Sequence, residues 1–361
     1  MSKTYQIAVI PGDGIGPEVV AEGLKVLDCL SEVCSVGIER RKFDWGAEWY
    51  LRHGTYLPDD GIDTLRSFDA LYLGAVGDPR VPEEANHKLS FGIRRAFNQY
   101  ANYRPVKLYP GVPTVFNDTG KPVNYVILRE NTEGGYLNIG SRINAGTPDE
   151  VGLQTAVITR KGAERIIRYG FELARWRAGQ QIRAEPQVTL CTKSGVLTHA
   201  MKTWDDAFAD IGSQYPDIRC ERRNIDALAM WLLKDPDKFD VVVCSNMFGG
   251  FMSYISALRQ GGLGFAPSGS INPEREFPSG FEPMHGSAPK YTGKNSINPA
   301  AAIITVRIML EHLGEYEAAR LLDKSLEQSF AERVIMTRDM GGSMKTNEVG
   351  DVVCARIRSL S

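Results

Sequence analysis

The sequence predicts an α/β protein in which sheets are flanked by helices. Short apolar runs typical of buried strands occur at residues 6–10, 70–76, 124–128 and 240–244. Stretches with helical spacing of apolar residues lie between them, and this alternation is typical of the α/β class. The 361 residues are enough for two domains, and a composition of 43% hydrophobic and 24% charged residues is ordinary for a globular protein.

The first helix is predicted over residues 17–33. Pro17 lies in its first turn, where the N–H group that proline lacks would have no helical partner. Apolar residues recur at helical spacing through Leu24, Leu27 and Leu30. Three further helices are predicted at residues 297–313, 316–330 and 347–360, the last capped by Thr346 or Asn347.

Charge and cysteine usage exclude several classes of protein. The net charge is −2, with no basic block and no long apolar run, so we expect neither nucleic-acid nor membrane binding. No signal peptide is visible at the N-terminus. The six cysteines lack Cys-x-x-Cys spacing and fit reduced, mostly buried thiols, which favours a cytoplasmic location.

A glycine-rich turn follows the first predicted strand at Gly12, Gly14 and Gly16. It invites comparison with the dinucleotide-binding Rossmann motif. Its spacing is Gly-x-Gly-x-Gly-Pro, however, and no acidic residue ends a second strand about 20 residues later. We therefore expect a tight turn rather than a true Rossmann fold.

Three arginines and one tyrosine lie in segments that suit a polyanionic ligand. They are Arg94, Arg104, Arg129 and Tyr136. A guanidinium group is a planar fork that binds a carboxylate through two bonds, so three converging forks suit a small di- or triacid. A lone arginine is more often a solvated surface charge. The segments that contain them, residues 93–95, 100–105 and 128–136, favour the ligand-binding interpretation.

These segments resemble the isocitrate/isopropylmalate/tartrate dehydrogenases, the metal-dependent β-decarboxylating family. The likeness covers nearly the whole chain and includes several motifs in the same order, at residues 10–18, 192–194, 224–230, 242–249 and 285–289. Several independent motifs are far more specific than any one of them. Residues 43–45, 53–54, 57–60 and 271–275 are most similar to the tartrate/D-malate branch.

The resemblance implies an isopropylmalate dehydrogenase-like fold of two domains. An outer, cofactor-binding domain would comprise residues 1–98 and 255–361, and an inner domain for substrate binding and dimerisation would comprise residues 99–254. The resemblance also implies a homodimer whose inner domains pair.

The resemblance further implies two catalytic residues. Lys193 would take the substrate hydroxyl proton during hydride transfer, working across the subunit interface, and Tyr136 would protonate the enol after decarboxylation. Alone, Tyr136 would more often be a packed aromatic residue. The three arginines would hold the substrate, and Ser90 would help to select it, since Lys88 and Ser90 occupy positions where isopropylmalate enzymes have leucines.

One loop is implied to hold the adenosine half of the cofactor. NAD-using members have Asp where this chain has Lys290, whereas NADP-using bacterial isocitrate dehydrogenases have Lys-Tyr, as here with Tyr291. An ammonium and a phenol hydroxyl suit the 2′-phosphate of NADP, which a carboxylate would repel. We expect NADP, with NAD as the alternative. The expected cofactor residues are His285, Gly286, Ser287, Ala288, Lys290, Tyr291 and Asn298.

The metal motif departs from the family pattern. The family supplies two carboxylates at the positions that are Gly250 and Tyr254 here, and a third where this chain keeps Asp226. Mg²⁺ binds proteins through carboxylates, waters and substrate oxygens. Asp226 alone with a chelating substrate would be a poor site, so Mg²⁺ or Mn²⁺ binding is doubtful.

Two functions fit these observations. The first is an NAD(P)-dependent dehydrogenase of a small 2-hydroxy di- or tricarboxylic acid, such as tartrate, D-malate or isopropylmalate, that works with little or no metal, either with decarboxylation or with decarboxylation weak or absent. Hydride transfer itself needs orientation, a base and the cofactor. The second is a catalytically silent ligand-binding or regulatory homologue, alone or with an active paralogue. The retained arginines, Tyr136 and Lys193 favour the enzyme.

Overall fold

The computed structural model describes residues 3–116 and 120–361, except for the side chains of residues 83, 84 and 86–88, among them Lys88. The chain forms two compact units. Unit 1 comprises Met1–Gln99, Lys107–Asn117 and Ala257–Ser361, and unit 2 comprises Tyr100–Val106 and Asp118–Ser256.

Strands and helices alternate along the chain, and they are numbered here in sequence order. The strands are β1 (Thr4–Gly12), β2 (Gly37–Lys42), β3 (Ala70–Ala75), β4 (Ala101–Lys107), β5 (Asn124–Glu130), β6 (Gly134–Ile143), β7 (Val151–Val157), β8 (Gln187–Thr192), β9 (Arg219–Asn224), β10 (Val241–Cys244), β11 (Pro267–Ile271) and β12 (Ser279–Pro283). The α-helices are α1 (Gly16–Cys34), α2 (Ala47–His53), α3 (Gly61–Leu65), α4 (Glu83–Ala96), α5 (Arg160–Gly179), α6 (Ala200–Gly212), α7 (Ile225–Lys234), α8 (Asn246–Arg259), α9 (Ala300–Leu313), α10 (Tyr316–Ala331) and α11 (Thr346–Leu360).

In unit 1 the strand order is β2-β1-β3-β12-β11. The first three pairings, β2–β1, β1–β3 and β3–β12, are parallel, and β12 pairs with β11 antiparallel. Helix α1 packs against α9 and α11, and α9 also contacts β11 and β12. Every residue of β3 and most residues of α9 are buried, as continuous apolar runs predict for central elements.

In unit 2 the strand order is β4-β5-β10-β8-β9, and the pairings from β5 to β9 are parallel. Helix α5 covers β5, β8 and β10 and packs beside α6. A buried ion pair joins α5 to the sheet, with Arg177 Nε 2.6 Å from Asp240 Oδ1 just before β10. A separate antiparallel hairpin is formed by β6 and β7.

The α/β class with helices flanking sheets is confirmed, and so are the four predicted strands and the first helix, within a residue or two at most ends. No helix in the described part of the chain is both long and apolar enough to cross a membrane. All six cysteines are free thiols, and four of them are buried.

The start of one predicted helix was wrong. Helix α9 begins at Ala300 and not at residue 297. Ile297 is held by Thr346 through two hydrogen bonds, 2.8 Å from its N–H and 2.7 Å to its carbonyl. The Asn298 side chain accepts the Ala300 N–H at 2.9 Å, so the preceding residues serve as anchors rather than as a helical turn.

The predicted cap of the last helix was also wrong. Thr346 is the first helical residue of α11, and Lys345 is the N-cap. The Glu348 carboxylate accepts the Lys345 N–H at 2.8 Å, the reciprocal half of a capping box. Asn347 does not cap the helix either, because its own N–H donates to the Asn295 side chain at 3.0 Å.

Candidate active site

Arg129, one of the predicted substrate-binding arginines, is held by several hydrogen bonds. It lies on the buried strand β5 and is 8% exposed. Its Nε donates to the Asn246 carbonyl at 2.8 Å, and its Nη2 donates to Asn246 Oδ1 at 2.7 Å. Asn246 is fixed in turn because its amide donates to the Glu133 carbonyl at 2.7 Å. The first residue of α8 therefore orients the guanidinium through both its backbone carbonyl and its side chain.

Two glycines of α8 face Arg129. A Cβ atom at Gly249 would lie 2.5 Å from Arg129 Cγ and 2.6 Å from its Cβ, which is too close for any side chain. A Cβ atom at Gly250 would lie 3.7 Å from the guanidinium carbon and 3.9 Å from both terminal nitrogens, an ordinary contact distance. A side chain at 249 would thus force α8 or the Arg129 side chain to shift, whereas position 250 has room for a side chain beside the charge.

Tyr136 lies close to this arginine. Its ring centre is 5.7 Å from the Arg129 guanidinium carbon, within the range of a cation–π contact. Tyr136 belongs to β6, whose first residue, Gly134, lies next to Asn246 of α8, and the side chain is 44% exposed. The structure therefore brings together two of the predicted functional residues. Arg104 lies in the same unit, on the buried strand β4.

Lys193 and Asp226 form an ion pair in unit 2. Lys193 directly follows β8, and Asp226 lies in the first turn of α7, directly after β9. The Lys193 Nζ is 2.9 Å from Asp226 Oδ1, and the ammonium holds the pKa of the Asp226 carboxyl below its usual value. The carboxylate that the family resemblance assigns to a metal therefore contacts the predicted base within one chain.

Arg94 and Ser90 lie on α4, in unit 1. Arg94 is mostly buried, and its Nη2 donates to Glu282 Oε1 of β12 at 2.7 Å. The resemblance gave no role to Glu282. A guanidinium has five N–H donors, so Arg94 can bind this carboxylate and still offer donors to a ligand.

The tight turn after β1 supports the predicted cofactor loop. Gly14 adopts a φ of 58°, and a Cβ there would lie 2.1 Å from the Ser287 carbonyl oxygen. The next residue, Ile15, donates its N–H to that same oxygen at 2.8 Å. Ser287 also donates its hydroxyl to the Gly77 carbonyl. Glycine is required at position 14 because its backbone lies directly against the backbone of Ser287.

A carboxylate and an amide anchor the rest of this loop. Glu18 accepts the N–H groups of Gly293 at 2.5 Å and Asn295 at 3.0 Å. The predicted cofactor residue Asn298 donates to Asp339 at 3.0 Å, which ties the loop to the segment before α11. His285 lies at the loop's start, where burial lowers the pKa of its imidazole and favours the neutral form.

Two ammonium groups flank the ring of Tyr291. Lys290 Nζ is 5.0 Å and Lys294 Nζ is 5.6 Å from the ring centre. Both lysines are exposed, and neither forms an ion pair within residues 3–116 and 120–361. This arrangement concentrates positive charge at residues 290–294 of the chain, in and directly after the predicted cofactor residues.

The donor set at the positions assigned to a metal does not fit a hard divalent cation. Gly250 offers no side chain, Tyr254 offers a phenol, and Asp226 offers the one carboxylate, already paired with Lys193. Such cations take several oxygen ligands, mainly carboxylates and carbonyls. In the part of the chain that the structure describes, no three His, Cys, Asp or Glu side chains are grouped to hold a metal ion.

Sequence reasoning missed three residues that shape these sites. Asn246 orients Arg129, Glu282 pairs with Arg94, and Lys294 joins Lys290 beside Tyr291. Asn246 and Lys294 lie inside or next to segments that the resemblance covered, but nothing local indicates which side chain each contacts. Glu282 is 188 residues from Arg94, so only folding brings them together.

Comparisons with known proteins identify the family of this chain. Residues 6–353 match the family described as isocitrate/isopropylmalate dehydrogenase. The chain is 43% identical to a Bacillus subtilis (strain 168) protein named probable tartrate dehydrogenase/decarboxylase, with 99% of each chain covered. It is 42% identical to D-malate dehydrogenase (decarboxylating) of Escherichia coli (strain K12), with 98% of this chain and 99% of that one covered.

A solved structure gives the same result for the fold. Isocitrate dehydrogenase from Methylococcus capsulatus has a TM-score of 0.87 and 33% identity, with 98% of this chain and 100% of that one covered. The family resemblance and its closeness to relatives named for tartrate and D-malate are confirmed. The chain is an oxidoreductase that belongs to the isocitrate/isopropylmalate dehydrogenase family.

Proposed function

We propose that this protein oxidises a small 2-hydroxy dicarboxylic acid of the tartrate or D-malate type with NADP as hydride acceptor, and that loss of carbon dioxide follows. The observation that carries this proposal is the Arg129 guanidinium, held by Asn246 at 2.7 and 2.8 Å and lying 5.7 Å from the Tyr136 ring centre. A fixed fork next to the ring of a tyrosine combines carboxylate binding with a residue that can donate a proton.

The roles of the other residues follow from their chemistry. Arg94, Arg104 and Arg129 bind the substrate carboxylates, and Ser90 contributes to the choice of substrate. Lys193 accepts the hydroxyl proton as hydride leaves the same carbon. Tyr136 returns a proton to carbon after carbon dioxide has left. The Lys193–Asp226 pair at 2.9 Å supports a positioning role for Asp226.

For the cofactor, we propose that NADP binds in preference to NAD. Lys290, Tyr291 and Lys294 offer two ammonium groups and a phenol to the 2′-phosphate, which carries about two negative charges. The remaining loop residues hold the adenosine half through backbone and side-chain contacts. They are His285, Gly286, Ser287, Ala288 and Asn298.

Enzymes of this family use a divalent metal, and we propose that this chain works without ordinary Mg²⁺ dependence. The support is the donor set, since one exposed carboxylate at Asp226 is a poor match for a cation that gives up its waters reluctantly. Activity should survive a chelator, and the double variant Gly250→Asp/Tyr254→Asp should gain a response to Mn²⁺. Strong inhibition of the unmodified protein by chelator, reversed by Mn²⁺, would contradict this proposal.

For the assembly, we propose a homodimer in a reducing, cytoplasmic setting. The outer domain, residues 1–98 and 255–361, would bind the cofactor, and residues 99–254 would bind substrate and pair with the second subunit. Apolar side chains on α8 support the pairing, because Met247, Phe251 and Tyr254 are 46%, 61% and 53% exposed in the single chain. The hairpin β6–β7 exposes further apolar residues, Ile139, Ile143, Val151 and Leu153.

The deciding experiment measures NADPH formation from tartrate, D-malate, isopropylmalate and isocitrate, each with chelator and with Mn²⁺. We expect NADPH from tartrate or D-malate in both conditions.

The absence of metal carboxylates at 250 and 254 also favours a second candidate, a catalytically silent ligand-binding homologue. A complete blank on the panel would make that candidate the better one, and NADPH from any substrate removes it.

A further inference from the structure

The space beside Gly250 has room for a charged side chain next to Arg129, but this chain has glycine there. A Cβ atom at Gly250 would be 3.7 Å from the Arg129 guanidinium carbon and equally distant, at 3.9 Å, from both terminal nitrogens. An aspartate at 250 would therefore place its carboxylate against the fork of Arg129. Glycine at 250 brings no side chain to this point.

The guanidinium at this point is fixed and shielded from water. Its Nε and Nη2 are bound to the carbonyl and side-chain oxygens of Asn246, both neutral acceptors, and Arg129 is 8% exposed. Asn246 is itself bound to the Glu133 carbonyl at 2.7 Å. A fixed positive group in a shielded site stabilises developing negative charge more than a mobile group in water does.

We propose that Arg129 and the space at Gly250 form a metal-free oxyanion subsite, in which the guanidinium supplies the positive charge that a divalent cation supplies elsewhere in the family. The inference rests on the proposed function. Its ligand is the planar enolate that remains after a small 2-hydroxy dicarboxylic acid has been oxidised and has lost carbon dioxide.

The electrons balance without a metal. Hydride passes from the substrate carbinol carbon to NADP⁺, the hydroxyl proton passes to Lys193, and a ketone remains. The bond from the neighbouring carbon to its carboxylate then breaks, and carbon dioxide leaves. The electron pair of that bond forms the carbon–carbon double bond of an enolate, whose oxygen carries the charge beside Arg129. The Tyr136 hydroxyl then protonates the carbon.

Oxalate, a planar dianion that mimics the enolate and does not react, tests the subsite directly. We expect calorimetry to show oxalate binding to the unmodified protein in the presence of chelator. Gly250→Asp and Gly250→Asn have nearly the same size and differ in charge, so they form the matched pair. The aspartate variant should bind oxalate about tenfold more weakly than the asparagine variant, because its carboxylate occupies the Arg129 fork.

Arg129→Lys keeps the charge and loses the fork, and it should weaken oxalate binding on the order of tenfold. Thermal unfolding of each variant establishes that it is folded. Oxalate binding that appears only with Mn²⁺, or equal affinities of the Gly250→Asp and Gly250→Asn variants, would overturn the inference. The two proposals can fail separately. If the unmodified protein forms no NADPH from any substrate but still binds oxalate without metal, the proposed function is wrong and the oxyanion subsite is still supported.

Discussion

Gly249→Ala is the substitution whose effect the structure defines best. The added methyl carbon would lie 2.5 Å from Arg129 Cγ, 2.6 Å from its Cβ and 3.2 Å from its Cα. Carbon atoms in contact prefer about 3.5–4.0 Å. Either α8 or the Arg129 side chain must therefore move by about 1 Å. The Arg129 backbone belongs to the buried strand β5, so we expect the side chain and the start of α8 to move.

The expected cost differs between stability and function. Overpacking in a filled site costs about 1–3 kcal/mol, and replacing a helical glycine by alanine returns about 1 kcal/mol. The net loss of stability should be about 1 kcal/mol. A displacement of about 1 Å at a substrate-positioning group can reduce the rate about 100-fold. We therefore expect kcat/KM to fall much more than the melting temperature.

The assay compares kcat/KM on tartrate or D-malate, metal-free oxalate binding and thermal unfolding for Gly249→Ala and a control. Gly179→Ala is that control, because Gly179 is also a helical glycine of unit 2, at the end of α5, and a Cβ added there would have no atom within 4 Å. A Gly249→Ala variant that binds oxalate and turns over substrate like the control would refute the proposed link from Gly249 through Arg129 to the ligand.

Three further predictions follow from the described contacts. Lys290→Asp should lower the NADP-to-NAD ratio of kcat/KM by about tenfold or more through repulsion of the 2′-phosphate, and equal use of both cofactors by the unmodified protein would contradict the loop assignment. Phe251→Asp should give a monomer in light scattering, because it puts a charge on an exposed apolar face of α8. The control Val115→Asp, at an exposed site of unit 1, should leave the dimer intact. A monomeric unmodified protein would disprove the homodimer. Burial lowers the pKa of His312 from 6.5 to about 4, so the unfolded chain binds more protons and stability falls as the pH drops from 6.5 towards 4. The free energy of unfolding should fall by roughly 2.5 kcal/mol between pH 7 and pH 4.5 because of this group. Urea titrations of His312→Gln should lack this part of the pH dependence.

Local sequence signals gave the fold class and much of the secondary structure. The spacing of apolar residues in α1 and the buried runs of β1, β3 and β10 are periodic within a few residues, so they can be recognised without knowing the fold. The tight turn at Gly12 and Gly14 was also predictable, and the structure shows both with positive φ, at 71° and 58°. Motif order along the chain gave the family, which the comparisons confirm.

Element ends were predicted less well where a distant segment decides them. Helix α9 starts three residues after its predicted first residue because Thr346 holds Ile297. The hydroxyl of Thr346 is used in this contact, so it does not cap α11. These residues are 49 positions apart, so no local propensity signals the bond. Hydrogen bonds to buried groups outweigh weak capping preferences.

The sequence by itself determined which residue types are available for chemistry: the arginines, Tyr136, Lys193 and the glycine that replaces a carboxylate at 250. Only the tertiary structure decided what each of them contacts. Asn246 fixes Arg129 across 117 residues, and Gly250 faces the guanidinium because α8 packs its first turn against β5. Helical and strand periods depend on neighbours in sequence, whereas the direction of a charged side chain depends on the packing of strands and helices that are distant along the chain.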